Sequence, residues 1–329
     1  MHVTKDYRTY GIYFVFLLVG FLIGLGISYQ KKIPTINLSE TRLKGRAFTS
    51  PLLECEPENA SSLLSVLSVK NNVQKVIDKQ IKTSGVIRVG VYFRDMNNGP
   101  WFGINKDVDF APASMLKVPI LMYYLKKAET NPSILNTVYA VKVADEGVSP
   151  NFKPTFAVKN NEVLTVKQLL DYMILYSDNN AKNTLLEHLD DVKYTNMLKE
   201  IGVEIASNPD GTNFMTVQEY ASFFRVLYNA SYIDKDSSEK ALTLLSKTDF
   251  KSGLVAGIPK SVPIAHKFGE RRYTDMYGNV VTQLHDCGIV YYPNKPYLIC
   301  IMTQGSDFPS LKKTIQEVST AVYKSIKEF

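Results

Sequence analysis

Cysteine, histidine and low-complexity sequence are all scarce in this chain. Three cysteines, Cys55, Cys287 and Cys300, occur in 329 residues, and an odd count gives no disulfide framework. The four histidines, His2, His188, His266 and His285, show no metal-ligand spacing with cysteine or carboxylate, so no metal site and no cofactor is expected. Glycine (18) and proline (15) are too few for a collagen-like or low-complexity chain. No internal repeat is present. A strong charge of either sign is also lacking. The net +6 is diffuse and does not argue for a nucleic-acid partner. With 45% hydrophobic and 21% charged residues, what remains is a globular protein.

The one long uncharged run lies between Arg8 and Lys31 and contains Gly11–Ser28. A helix of this length spans roughly 30 Å, the thickness of a bilayer core. Its apolar residues cover every face, which argues against a buried core helix. No small-x-small cleavage site follows at Ser28–Lys32, so an uncleaved anchor contacting the lipid bilayer is expected. Lys31, Lys32, Arg42, Lys44 and Arg46 follow the span and oppose an outside C-terminal part under the positive-inside rule. Residues 31–71, with Pro34, Pro51 and Pro57, read as a stalk with a short helix near Ser61–Lys70. The chain therefore divides into an anchor (1–30), a stalk (31–71) and one domain (72–329).

In the domain, strands are expected at Val86–Asp95 and Trp101–Ile104, joined by the turn residues Asn97–Pro100. Helical periodicity covers Asn72–Thr83, Ser114–Lys127, Thr165–Leu175, Ala181–Leu189, Lys193–Ile201, Val217–Asn229 and Ser237–Leu245. Strands return at Val262–Phe268, Leu284–Tyr292 and Pro296–Gln304, followed by an amphipathic helix, Ser310–Lys327. Strands at both ends around a helical block imply an α/β fold of the α+β type: an antiparallel sheet flanked by terminal helices, with an all-helical subdomain. If Tyr292 faces Tyr297 in the last hairpin, Cys300 faces Ile289 and a Cys287–Cys300 disulfide is not expected.

Three short segments could carry chemistry. Ser114-Met-Leu-Lys117 puts a hydroxyl near a helix start and an amine one turn later on the same face. Tyr176-Ser-Asp-Asn179 stands between two helices and is rich in capping residues. His266-Lys-Phe-Gly-Glu270 ends an apolar strand, where a lysine could line a cleft. Each is ordinary alone.

In order and spacing, Ser114-x-x-Lys117, Ser177-Asp-Asn179 and Lys267-Phe-Gly269 resemble the Ser-x-x-Lys, Ser-Asp-Asn and Lys-Thr-Gly set of the penicillin-recognising serine hydrolases, the class A β-lactamases above all. The resemblance covers about residues 72–329 and implies a β-lactamase/transpeptidase-like fold. It implies Ser114 as nucleophile, Lys117 as its base and Ser177 as proton relay. Asn179, Lys267 and Gly269 would bind substrate, and the backbone N–H groups of Ser114 and Glu270 would form the oxyanion hole. Lys117 must then lose its proton, with burial and a neighbouring Lys267 pushing that way. The substrate would be a small β-lactam or a cell-wall peptide met outside the membrane, so a single-pass protein with an extracytoplasmic domain, acting as a monomer, is expected. Long domains translocate largely regardless of charge.

Two departures matter. Phe268 replaces the threonine that binds the substrate carboxylate, and Arg271 or Arg272, in the following turn, could compensate. No glutamate-x-x-leucine-asparagine pattern occurs in Val203–Thr216, where Glu204 and Asp210 are the only carboxylates. Fast β-lactam turnover is therefore not expected. A D,D-peptidase and an inert wall-binding domain are the alternatives.

Overall fold

The computed structural model describes residues 13–20, 38–42, 46–49, 52–57, 61–97, 99–143, 150–207, 212–274 and 278–328. A five-stranded antiparallel sheet forms its centre. We number its strands β1 (Val86–Asp95), β2 (Trp101–Ile104), β3 (Ile264–Thr274), β4 (Val280–Val290) and β5 (Tyr297–Gly305). The spatial order is β3-β4-β5-β1-β2, so the first strand of the domain lies beside the last.

Alternation along each strand divides the core into two layers. Val89, Val91 and Phe93 of β1 point into one layer with Ile299 and Ile301 of β5. That layer is closed by α1 (Ser61–Thr83) through Val66, Val69, Val73 and Ile77, and by α8 (Phe308–Lys327) through Leu311, Ile315, Val318 and Val322. Both sets recur at helical spacing, which gives each helix a single apolar stripe. Tyr92, Cys287, Cys300 and Met302 point the other way. They meet the helical block: α2 (Lys117–Thr130), α3 (Val166–Leu175), α4 (Asn179–Glu187), α5 (Asp191–Ile201), α6 (Val217–Asn229) and α7 (Lys235–Leu245). The result is the layered architecture expected from the strand-helices-strand order.

Most helix starts carry a side-chain cap. Thr165 and Thr216 form capping boxes with Gln168 and Glu219, and Asp178, Asp190, Asp234 and Asp307 cap α4, α5, α7 and α8.

Three expectations change. The strand read as Val262–Phe268 runs on to Thr274, so Arg271 and Arg272 lie within β3, opposite Gln283 and Thr282, and not in a turn. The last hairpin pairs Val290 with Tyr297, because Tyr291–Pro296 all belong to the connection. Cys287 consequently sits directly opposite Cys300, and the two form a disulfide inside the helical-side core. The α1 helix begins at Ser61 as one continuous element.

Within the stretch read as stalk, Leu38–Arg42 and Leu52–Pro57 pair as antiparallel strands. The segment between them is clasped to the domain. The Glu239 carboxylate accepts from the backbone N–H of Ala47 (3.0 Å), Phe48 (3.0 Å) and Thr49 (2.8 Å), and from the Thr49 hydroxyl (2.9 Å). Arg46 pairs with Asp236 at 2.8 Å, and Phe48 packs edge-on against Tyr291. Residues 13–20 are helical, and the rest of the Gly11–Ser28 span lies outside the described residues. Among the described residues, no helix is long and apolar enough to cross a membrane.

Candidate active site

The Ser114 segment is a single 3-10 turn, Ala113–Leu116, immediately before α2. Pro119 follows early in α2, where a missing backbone N–H costs least. Three contacts hold the turn. The buried Tyr220 hydroxyl donates to the Met115 carbonyl at 2.9 Å. Gln283 accepts from the Ala111 N–H at 3.0 Å. His285 Nε2 donates to the Ala111 carbonyl at 3.0 Å, while its Nδ1 accepts from the Thr303 N–H at 3.1 Å. These two bonds fix the neutral tautomer, and burial pushes His285 down to about 4, so it stays neutral.

Ala113 and Ser177 both have left-handed backbone, with φ of 50° and 57°. Non-glycine residues rarely adopt this region, and here both flank the same group of side chains. Asp178 holds the second segment: one carboxylate oxygen caps α4 at Ala181 N–H (2.7 Å) and the other accepts from Val158 N–H (3.1 Å). The aspartate of Ser-Asp-Asn therefore locks a helix and a loop together.

The three motifs converge on two lysines. Lys117 is fully buried, and its Nζ lies 2.9 Å from Ser114 Oγ, 3.2 Å from Ser177 Oγ, 2.5 Å from the Ser177 carbonyl and 2.7 Å from Asn179 Oδ1. From the other side, Lys267 Nζ donates to Ser177 Oγ at 2.8 Å. One chain of contacts thus runs Ser114–Lys117–Ser177–Lys267. Burial pushes the Lys267 ammonium down to about 7, and the charges of Asp286 and Glu270 keep it from falling further.

Gly269 explains how close the strand comes to the turn. A Cβ built there would lie 2.4 Å from the Pro112 carbonyl and 3.1 Å from the Met115 nitrogen. Only a glycine lets β3 pass, and this sets the backbone of Gly269 and Glu270 beside Ser114.

The cleft occupies about 650 Å³ and is lined by Ser114, Ser177, Asn179, Phe152, Glu270, Arg271 and Arg272 among others. Arg271 is held by a 2.8 Å bond to the Thr212 hydroxyl, and Arg272 is exposed at the cleft. Both arginines line the same cleft as Phe268, three and four residues further along β3. Phe268 is buried in an aromatic cluster, stacked on Phe250 at 4.0 Å and edge-on to Phe152 at 4.9 Å. Among the described residues, both carboxylates lining the cleft are engaged: Asp178 as above, and Glu270 by the Phe152 N–H at 3.0 Å. Glu204 lines a separate cavity, and Asp210 lies outside the described residues.

Sequence reasoning missed the bracing. Tyr220, Gln283, His285 and the left-handed Ala113 carry no motif, because their role depends on a sheet crossing under a turn. The Phe152–Phe250–Phe268 cluster had one available signal, an aromatic in place of a threonine.

The comparisons with known proteins agree with this geometry. The model of the beta-lactamase enzyme family matches residues 68–326. Beta-lactamase CTX-M-8 of Citrobacter amalonaticus is 27% identical over 217 residues, 62% of this chain and 73% of that protein. Beta-lactamase VEB-1 of Pseudomonas aeruginosa is 23% identical over 244 residues, 68% and 79% of the two chains. Among solved structures, the TLA-3 extended-spectrum beta-lactamase superposes with a TM-score of 0.67 at 21% identity, covering 79% of this chain and 99% of its own. A mutant of PBP-A, solved as an acyl-enzyme complex with penicillin G, gives 0.66 at 23% identity, covering 79% and 97%. The match over most of the chain makes this protein a member of the beta-lactamase enzyme family, a class A-like serine hydrolase acting on amide bonds.

Proposed function

We propose that the chain acylates itself at Ser114 with a β-lactam or a related amide. The observation that carries this reading is the contact chain Ser114–Lys117–Ser177–Lys267. Lys117 Nζ takes the Ser114 proton as Oγ attacks the carbonyl carbon. The backbone N–H groups of Ser114 and Glu270 receive the oxyanion. The C–N bond then breaks, and the proton passes from Lys117 through the Ser177 hydroxyl to the leaving nitrogen. Asn179 orients the substrate amide, while Lys267 and Arg272 attract its carboxylate.

The acyl-enzyme is long-lived in this reading. Release needs a carboxylate to activate water, and among the described residues the two that line the cleft, Asp178 and Glu270, are already committed to backbone N–H groups. This favours a slow hydrolase or D,D-peptidase over a fast β-lactamase. An inert wall-binding domain would need neither buried lysine.

The test is covalent labelling of the full chain with a fluorescent penicillin, followed by nitrocefin and D-Ala-D-Ala peptide assays. Labelling absent in Ser114→Ala, with nitrocefin turnover slower than labelling, is expected. An intact fold that no β-lactam labels would sink the proposal.

We also propose that residues 11–28 anchor the protein and leave the domain outside the membrane. The exposed apolar side chains Tyr13–Val19 support the anchor, and the orientation follows from a substrate met outside, since long domains translocate largely regardless of charge. Digestion of the domain by protease added to intact cells tests it, and full protection would refute it.

A further inference from the structure

A second cavity, of about 820 Å³, adjoins the cleft and is the larger of the two. Arg271 lines both, and Ala113 and Leu116, on either side of the Ser114–Met115 pair, form part of its floor. Its walls are regular elements: Ile120 from α2, Lys182 and Leu186 from α4, Tyr194 and Lys199 from α5. The floor is apolar, while its charged groups are Lys182, Lys199 and Arg271 against the exposed Glu204. A space of this size holds a ligand of several hundred daltons.

Direction follows from the acylation step, so this inference rests on the function proposed above. The leaving nitrogen faces Ser177, on the side of the two lysines. The oxyanion sits against β3 at Glu270. The acyl arm must then run along β3 away from Ser177, and the next residue on that path is Arg271. We infer that the second cavity is a subsite for an extended acyl arm bearing a carboxylate, recognised by Lys182, Lys199 and Arg271. The substrate class is accordingly an anionic peptide amide longer than a simple penicillin.

Direct binding tests this apart from the chemistry. Two fluorescent D-Ala-D-Ala peptides, identical except for an acetyl or a glutaryl arm, are titrated by anisotropy into full-length Ser114→Ala protein. A charge-assisted contact gives the glutaryl peptide about a tenfold or greater advantage. Adding Lys182→Met and Lys199→Met removes that advantage and leaves acetyl-peptide binding unchanged. The double substitution Lys167→Met and Lys247→Met, outside the second cavity, keeps it and controls for net charge. Thermal melts of each variant confirm folding. Equal affinity for both arms, a preference that survives substitution of Lys182 and Lys199, or no binding of either peptide overturns the subsite. If the arm preference holds while penicillin fails to label Ser114 in the wild type, the subsite stands and the proposed reaction falls.

Discussion

Burying Lys267 has a cost that pH titrates. Its ammonium is pushed from an ordinary 10.5 down to about 7 with the side chain fully buried, so no solvent screening reduces the effect. A 3.5-unit shift is worth about 5 kcal/mol at 1.36 kcal/mol per unit. The sign follows from proton counting. Between pH 7 and 10.5 the unfolded chain holds a proton on Lys267 that the folded chain lacks, so stability rises with pH across that window. Below pH 7 the full penalty applies. Lys267→Met keeps the length and apolar bulk of the side chain and removes the ionisation. Urea unfolding of both proteins from pH 6 to pH 9 isolates the effect, because other titrations cancel in the difference. The wild type should gain about 3 kcal/mol on the variant over that range. At pH 6 the variant should be the more stable, less the lost bonds to Ser177 and the Phe268 carbonyl. A difference flat to within about 0.5 kcal/mol would refute the assignment of a depressed, buried ammonium.

Two further substitutions probe the strand and its cluster. Gly269→Ala drives a methyl group against the Pro112 carbonyl and the Met115 nitrogen, opening the oxyanion hole. Penicillin labelling should slow about a hundredfold in a folded protein, and an unchanged rate would remove Gly269–Glu270 from the site. Phe268→Thr restores the family hydroxyl but empties the space between Phe250 and Phe152. It should cost about 3 kcal/mol in urea unfolding, and a loss below about 1 kcal/mol would show that the cluster is not tightly packed.

The site was legible where chemistry is written in side-chain type and spacing. A serine and a lysine one helical turn apart meet because the helix brings them together, and β1 and β2 match their expected bounds because the turn chemistry at Asn97–Pro100 delimits them. What was lost depends on register. Assuming that Tyr292 faces Tyr297 slid the last hairpin and separated two cysteines that the structure joins. The same limit hid the continuation of β3 through Arg271 and Arg272: charged residues in an edge strand read as a turn until the partner strand is known. The second cavity could not be read at all, since its lining comes from several separate elements.

With the proposed anchor, the clasp of residues 46–49 on Glu239 would set the working height of the enzyme. At about 3.5 Å per residue, a chain free from Ser28 to the start of α1 at Ser61 would let the domain range about 115 Å from the proposed anchor. Pinned at Arg46, the same domain reaches about 60 Å at most. The attachment point also lies on α7 and not at the start of α1, so the tether pulls on the helical block. If residues 11–28 anchor the chain as proposed, a leash of that length and placement confines the cleft to substrates in a thin shell above the membrane and restricts how the domain can turn. Releasing the clasp would nearly double that radius without altering a single residue of the cleft.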